Sequence, residues 1–203
     1  MSFEVIALAG ESIVRYLKTA LAADPPVIDG NGPRQVTVSL ADAASLKSIV
    51  DNPQQGKTSL TLLLYRIDVN RALRATMGML SDRQGETALP LDLFYLLTAW
   101  APNPTEEHLI IGRAMQALEA GSPLSGPAVL TRIGGMTRDV ALGDLALVID
   151  ELSNEALMRI FDSLKVEYRL SIPYIARVVS IIARDFEPGP PVLDEQIRFM
   201  VPA

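Results

Sequence analysis

Several residue types and segments that common functions need are missing from this sequence. There is no cysteine, which excludes disulfides, thiolate metal sites and cysteine nucleophiles and fits a protein of the cytoplasm. There is one histidine, His108, so a metal site with several imidazole ligands is excluded as well. No run of about 20 residues is free of charged and polar side chains, and no basic segment opens the chain. We therefore expect neither a membrane-spanning helix nor a signal peptide.

Positive charge is also in short supply. The 18 basic residues are outnumbered by 24 acidic ones, and the formal net charge is −6. Proteins that bind nucleic acid or anionic membranes carry a basic surface, so we expect neither of these partners. Apolar residues make up 49% of the chain, and the mean hydropathy is +0.24. This composition favours a protein that buries some apolar surface against other proteins.

The region 89–101 holds the densest group of large apolar and aromatic residues. In a strand, successive side chains point to opposite faces, and here both alternating sets are mostly apolar. The pattern is typical of a central strand that is covered on both sides. We expect Pro90 to start this strand and Pro102 to follow its end.

A helix is predicted directly after this strand. Asn103 suits the N-cap position, Pro104 suits the first helical position, and Glu106 stands where a capping box has its acid. Apolar residues then recur with the helical period up to Gly121, which suits the end of a helix. The sequence therefore predicts a helix over 104–120.

The whole chain of 203 residues is long enough for one core. We expect a single α+β domain over 1–184, with a mixed, largely antiparallel sheet flanked by helices, and a C-terminal arm over 185–203. Pro173 would bend the last strand or mark a bulge. The predicted strands are 58–69, 89–101, 140–148 and 166–183, and the predicted helices lie near 3–22, 104–120 and 153–164.

None of the motif-like segments predicts catalysis or ligand binding. Gly56–Ser59 matches the end of a phosphate-binding loop, but Asp51 stands where the motif needs glycine, and a strand-like segment follows. His108 lies beside two acids at a helix start, which favours a solvated position. Asp150 and Glu151 are adjacent, and adjacent residues rarely face a common substrate. We predict no catalytic residue, no cofactor and no metal site.

Asp92 is the acid that most needs an explanation, because it lies within the apolar central strand. A carboxylate in such surroundings needs a partner that satisfies its charge. We expect a structural ion pair with an arginine. A functional role for Asp92 is the alternative.

Four blocks of sequence carry a resemblance to a known family. The most specific is 89–100, Leu-Pro-Leu-Asp-Leu-Phe-Tyr-Leu-Leu-Thr-Ala-Trp. The supporting blocks are 62–67 with 70–74, 107–116, and 151–153 with 168–174. Together they resemble the tail-terminator, or cap, proteins of extracellular contractile injection systems of the antifeeding-prophage and Photorhabdus virulence cassette type.

The resemblance implies a structural protein without catalysis or cofactor. It implies a homo-hexameric ring on the last ring of the inner tube protein, in contact with the terminal ring of the sheath protein, where it stops both from growing. Such a cap is assembled in the cytoplasm and becomes part of a particle that can be released from the cell. Two alternatives stay open: another ring of the same machine, such as a tube or baseplate connector, and a small cytosolic enzyme that uses Asp92 or His108.

For a ring protein, the interface is expected in the segments that carry no predicted core element. These are the charged loop 71–86 and the C-terminal arm, whose apolar end is suited to adding a strand to a neighbour. The residues predicted to take part are Arg71, Arg74 and Arg83 in the loop, and Arg198, Phe199, Met200 and Val201 in the arm.

Overall fold

Five strands form one sheet, and helices lie against both of its faces. The structure is a computed structural model that describes residues 3–26, 32, 35–51, 58–74, 87–136 and 139–183. The strands are β1 (Thr37–Ala41), β2 (Ser59–Val69), β3 (Thr87–Trp100), β4 (Ala146–Ile149) and β5 (Ser171–Ala183). The helices are α1 (Val5–Ala23), α2 (Ala43–Asp51), α3 (Pro104–Gly121) and α4 (Asn154–Leu164).

The sheet has the order β1-β2-β3-β5-β4, so β3 is its middle strand. The β1–β2 pair is parallel, and the other three pairs are antiparallel. The predicted α+β class with a mixed, largely antiparallel sheet is therefore confirmed. The boundary at residue 184 stays a prediction, because residues 184–203 lie outside the described part of the chain.

Both faces of β3 are buried, as the sequence pattern predicts. Leu93, Tyr95 and Leu97 belong to the core cluster that includes residues of α1 and α3. Leu96 and Trp100 point to the other face and belong to the cluster formed with α2 and α4. The indole N–H of Trp100 donates to the Thr61 hydroxyl at 2.8 Å, so this buried polar group is satisfied.

The start of β3 differs from the prediction, because the strand begins at Thr87 and continues through Pro90. The Pro90 carbonyl accepts from the backbone N–H of Asn70 at 2.9 Å, directly after the last residue of β2. In a strand, the N–H and the C=O of one residue point to the same side. The C=O of Pro90 points toward β2, so the N–H that proline lacks would have pointed to the same side, beyond the last residue of β2. Pro90 therefore costs no ladder bond with β5.

Two predicted strands are longer than the strands observed. The stretch 140–148 becomes a strand only at Ala146, because Gly143 has a left-handed φ of 78° that interrupts an extended chain. The stretch 166–183 becomes a strand only at Ser171. It passes through Pro173 unbroken, because the Pro173 carbonyl faces β4 and accepts from Asp150 N at 2.9 Å.

The predicted helices agree with the structure to within two residues at each end. Asn103 is the N-cap of α3, and its side chain accepts from the backbone N–H of Glu106. Ser153 caps α4 in the same way, accepting from Ala156 N. These caps satisfy N–H groups that the first turn of a helix leaves without a partner.

Replacing Leu93 with alanine should lower the free energy of unfolding by about 2–5 kcal/mol, because Leu93 is 0% exposed and a cavity would remain at the centre of the sheet. The matched control is Leu109→Ala on α3, where the side chain is 41% exposed and the change should stay within about 0.5 kcal/mol. The free energies of unfolding of the two variants are measured by urea denaturation, monitored by circular dichroism. Equal losses in the two variants would contradict this account of the core.

Candidate assembly interface

Two of the predicted interface residues lie in the described part of the chain. Arg71 and Arg74 are exposed in a short helical turn, 71–74, that follows β2 directly. Neither has an ion-pair partner among the residues that the structure describes. The other predicted interface residues lie outside the described ranges: Arg83, Arg198, Phe199, Met200 and Val201.

Asn70 fixes the position of this helical turn. Its side-chain oxygen accepts from the Leu73 backbone N–H at 3.0 Å, and its carbonyl accepts from Arg74 N at 2.9 Å, so Asn70 is the N-cap of the turn. Its own backbone N–H donates to Pro90. One residue therefore ties the end of β2 to β3 and holds the backbone that carries the two arginines.

The same asparagine is the partner of Asp92. The Asn70 amide donates to the two Asp92 carboxylate oxygens at 3.2 and 3.3 Å. Within the described residues, Asp92 has this amide as its partner and no arginine, so the expected ion pair is not found there. An amide suffices because Asp92 is only partly buried and retains solvent for its charge. Asp68 lies opposite Asp92 in the ladder and pairs instead with Arg66 at 3.2 Å.

Both predicted interface segments leave from one end of the sheet. We call it the distal end, and it consists of the end of β2 at Val69 and the paired ends of β3 and β5, Thr87 and Ala183. The loop 71–86 connects β2 to β3 here, and the arm follows Ala183. The antiparallel pairing of β3 with β5 places Thr87 beside Ala183, although about 100 residues separate them in the chain.

Apolar and charged side chains alternate on the surface of the distal end. Ile67 is 43% exposed and Val69 is 37% exposed, while the Arg66 guanidinium lies 3.7 Å from the centroid of the Phe94 ring. Ile67 and Val69 point to one face of β2 and Arg66 points to the other. The exposed aliphatic pair suits a contact with another protein, because it would contribute apolar burial.

Tyr65 joins β2 to the segment after β4, where its hydroxyl donates to Asp150 Oδ2 at 3.1 Å. Burial, and after it the negative charge of Asp150, raise the pKa of Tyr65 to about 12. Because the folded state favours the neutral phenol, this contribution to stability is complete below the unfolded-state pKa of about 10. It is lost as the pH rises through about 12. Asp150 therefore has a structural partner.

The remaining titratable candidates do not converge on one place. His108 is exposed in the first turn of α3. Its neighbour Glu107 is buried and pairs with Arg169 at 3.0 Å, and the Arg169 guanidinium lies 5.6 Å from the Trp100 ring. Within the described ranges, no group of three or more potential ligands could hold a metal ion.

No helix among the described residues is long and apolar enough to span a membrane.

Sequence reasoning missed Asn70 and the Glu107–Arg169 pair. Asn70 could have been found, since an asparagine one residue before a short helical segment is a cap signal. The Glu107–Arg169 pair left no local signal, because its members come from α3 and from the segment before β5 and meet only through tertiary packing.

The model of the Pvc16 N-terminal domain family matches residues 9–194 of this chain. No curated protein matches the sequence. Among solved structures, the sheath/tube terminator of the extracellular contractile injection system PVC, in the extended state, matches with a TM-score of 0.52 and 16% identity over 99% of this chain. The anti-feeding prophage cap, a tube-terminating cap, matches with a TM-score of 0.51 and 17% identity over 93% of this chain.

This chain spans 65% of the length of the first of these proteins and 59% of the second. At such low identity, the likeness establishes a shared fold.

Replacing Asn70 with alanine should lower the free energy of unfolding by about 1–2 kcal/mol, because the turn loses its cap and Asp92 loses its amide donor. Hydrogen exchange at the Leu73 and Arg74 amides should accelerate more than exchange in the core. The control is Asn154→Ala at the start of α4, where the side chain is exposed and forms no hydrogen bond within the described residues. Unchanged exchange at Leu73 in the Asn70 variant would contradict the assigned cap.

Proposed function

Because the chain belongs to the Pvc16 N-terminal domain family, we propose that it is the cap, or tail terminator, of a phage-tail-like contractile injection system. It forms a ring on the last ring of the inner tube, contacts the terminal sheath ring and stops both polymers from growing. The observation that carries the proposal is the fold, which this chain shares with a sheath/tube terminator over 99% of its length. The two solved structures described above are a sheath/tube terminator and a tube-terminating cap of such particles.

Termination needs a subunit with two unlike surfaces. A tube grows because each new ring presents the same surface that the previous ring presented. A cap must match that surface on one side and present a different surface on the other. The distal end supports this role, because it gathers the exposed arginine turn, the exposed side chains of Ile67 and Val69 and the start of the arm at a single end of the domain.

The distribution of charge on the chain indicates the charge of the surface that the distal end contacts. The net charge is −6, yet Arg71 and Arg74 are exposed there without an ionic partner among the described residues. Arginines of this kind pair with carboxylates of another protein, where they set orientation and association rate. The distal end therefore contacts an acidic surface of the tube or sheath protein.

The proposed assembly is a homo-hexamer. Heterologous contacts between identical subunits close into a ring when the rotation between neighbours divides a full turn evenly. A cap of this kind assembles in the cytoplasm and remains part of the finished particle. It has no catalytic role.

Electron microscopy of particles from cells that lack this protein tests the function. We expect overlong tubes, ragged ends or tubes without sheath, because nothing would stop growth at the end far from the baseplate. Expression of the intact chain should restore uniform particles. Particles of normal length and with normal ends in its absence would refute the terminator function and would favour another position in the machine.

The double variant Arg71→Glu with Arg74→Glu tests the distal end. We expect the fraction of capped particles to fall by about tenfold, because the reversed charges repel an acidic partner, while the thermal unfolding of the isolated chain stays unchanged. The control is Lys47→Glu with Lys165→Glu, which changes the net charge equally at exposed positions on α2 and after α4. Equal loss of capping in both variants would show that the distal end is not the contact.

A further inference from the structure

The outer edge of β1 is open. Thr37 donates its backbone N–H to Thr58 O at 3.0 Å, so Thr37 and alternate residues after it face β2. The backbone groups of Val38 and Leu40 therefore point away from the sheet. No hydrogen bond to them is found in the described part of the chain. An edge of this kind is a template for a further strand.

The opposite edge of the sheet is covered at Leu145 and Leu147. Leu145, directly before β4, exchanges two backbone hydrogen bonds of 2.9 Å with Leu124. The Ser122 hydroxyl bonds both the N–H and the C=O of Leu147 at 3.1 Å. A strand could not add along β4 without displacing these contacts. The sheet therefore accepts an additional strand at β1 and resists one at β4.

A groove accompanies the open edge. It has a volume of about 590 Å³ and lies between the last turns of α1 and the start of β1. Its lining is mainly apolar, from Leu21, Ala22, Val36 and Val38, with the positive charge of Lys18 beside them. Leu40, further along the same strand, is 38% exposed. The surface thus combines backbone groups for pairing, apolar side chains for burial and one cation.

We propose that this edge and groove bind the C-terminal arm of a second copy of the chain as an added strand. Twenty residues follow Ala183, enough to reach a neighbouring subunit. Ile197, Phe199 and Val201 alternate with Arg198 and Met200, which is the pattern of a strand with one apolar face.

Charge supports the same occupant, because the acidic pair Asp194 and Glu195 lies one residue before this stretch and is opposite in charge to Lys18 in the groove.

The positions of the arm and of the β1 edge within one subunit favour a second copy as the chain that supplies the arm. The arm begins at the end of β5, and the acceptor is β1 on the opposite side of the central strand. A contact that joins two different sides of identical subunits is heterologous, and its repetition closes a ring when the rotation between neighbours divides a full turn evenly. The proposal deepens the proposed function by naming the contact between ring subunits. Its test needs neither tube nor sheath, so its failure would leave the terminator function standing.

The absence of cysteine permits a direct test by disulfide cross-linking. Leu40→Cys would be purified as the full chain and mixed with full-length chains carrying Ile197→Cys, Phe199→Cys or Val201→Cys, and the mixtures would be oxidised. We expect a disulfide dimer of unlike chains for at least one arm position, identified by non-reducing electrophoresis and mass spectrometry. Ile149→Cys replaces Leu40→Cys in the control, because Ile149 is 53% exposed and lies at the opposite edge of the sheet, next to the part that Ser122 covers.

Formation of the mixed dimer with Leu40→Cys and not with Ile149→Cys supports the proposal. A cross-link that forms only within one chain, in the variant carrying Leu40→Cys and Phe199→Cys together, would overturn the second copy as occupant. A dimer through two Leu40→Cys residues would mean that β1 edges pair with each other, which overturns the arm as occupant. No cross-link, or equal cross-linking at Leu40 and Ile149, would overturn the proposed acceptor edge.

Discussion

The burial of both faces of β3 is the constraint on which the rest of the fold depends. A strand that is apolar on both sides cannot lie at a surface, so a helical layer must cover each face. Here α1 and α3 contribute to one core cluster, and α2 and α4 contribute to the other. The middle position of β3 follows, because only a middle strand has neighbours that extend the sheet on both sides.

The lengths of the strands create the distal end. β2 stops at Val69, opposite Leu91, while β3 and β5 continue as a pair to Thr87 and Ala183. The chain turns at Asn70, whose hydrogen bonds satisfy the start of the helical turn, Pro90 and Asp92 together. A polar residue with donors and acceptors on both its backbone and side chain is needed at such a junction, since each group would otherwise lack a partner.

The two edges of the sheet differ in whether their outward backbone groups have hydrogen-bond partners. At β4, Ser122 and Leu124 occupy the backbone groups that would accept another strand. At β1, the outward groups of Val38 and Leu40 have no such partner within the described residues. Proteins commonly protect their edges against unwanted pairing, and within the described residues β1 is the more open of the two edges. That asymmetry suits a subunit whose neighbours lie on two different sides.

Elements whose signals are local could be predicted from the amino-acid sequence. The double apolar pattern of β3, the cap and proline of α3 and the cap of α4 each involve residues within a few positions of one another, and all three elements are present. The family resemblance, carried by the same blocks, agrees with the family match over residues 9–194. The predicted contacts of Arg83, Arg198, Phe199, Met200 and Val201 lie outside the described residues and stay predictions.

The contacts between distant segments became known from the folded structure. It showed that β1 pairs in parallel with β2, that β4 is short and covered by Ser122 at Leu147, and that Asn70 is a partner of Asp92. It also brought the loop after β2 and the start of the arm to one end of the sheet. Strand order and edge exposure arise from pairing between residues far apart in the chain, and a local pattern of apolar side chains contains no information about which strands will meet.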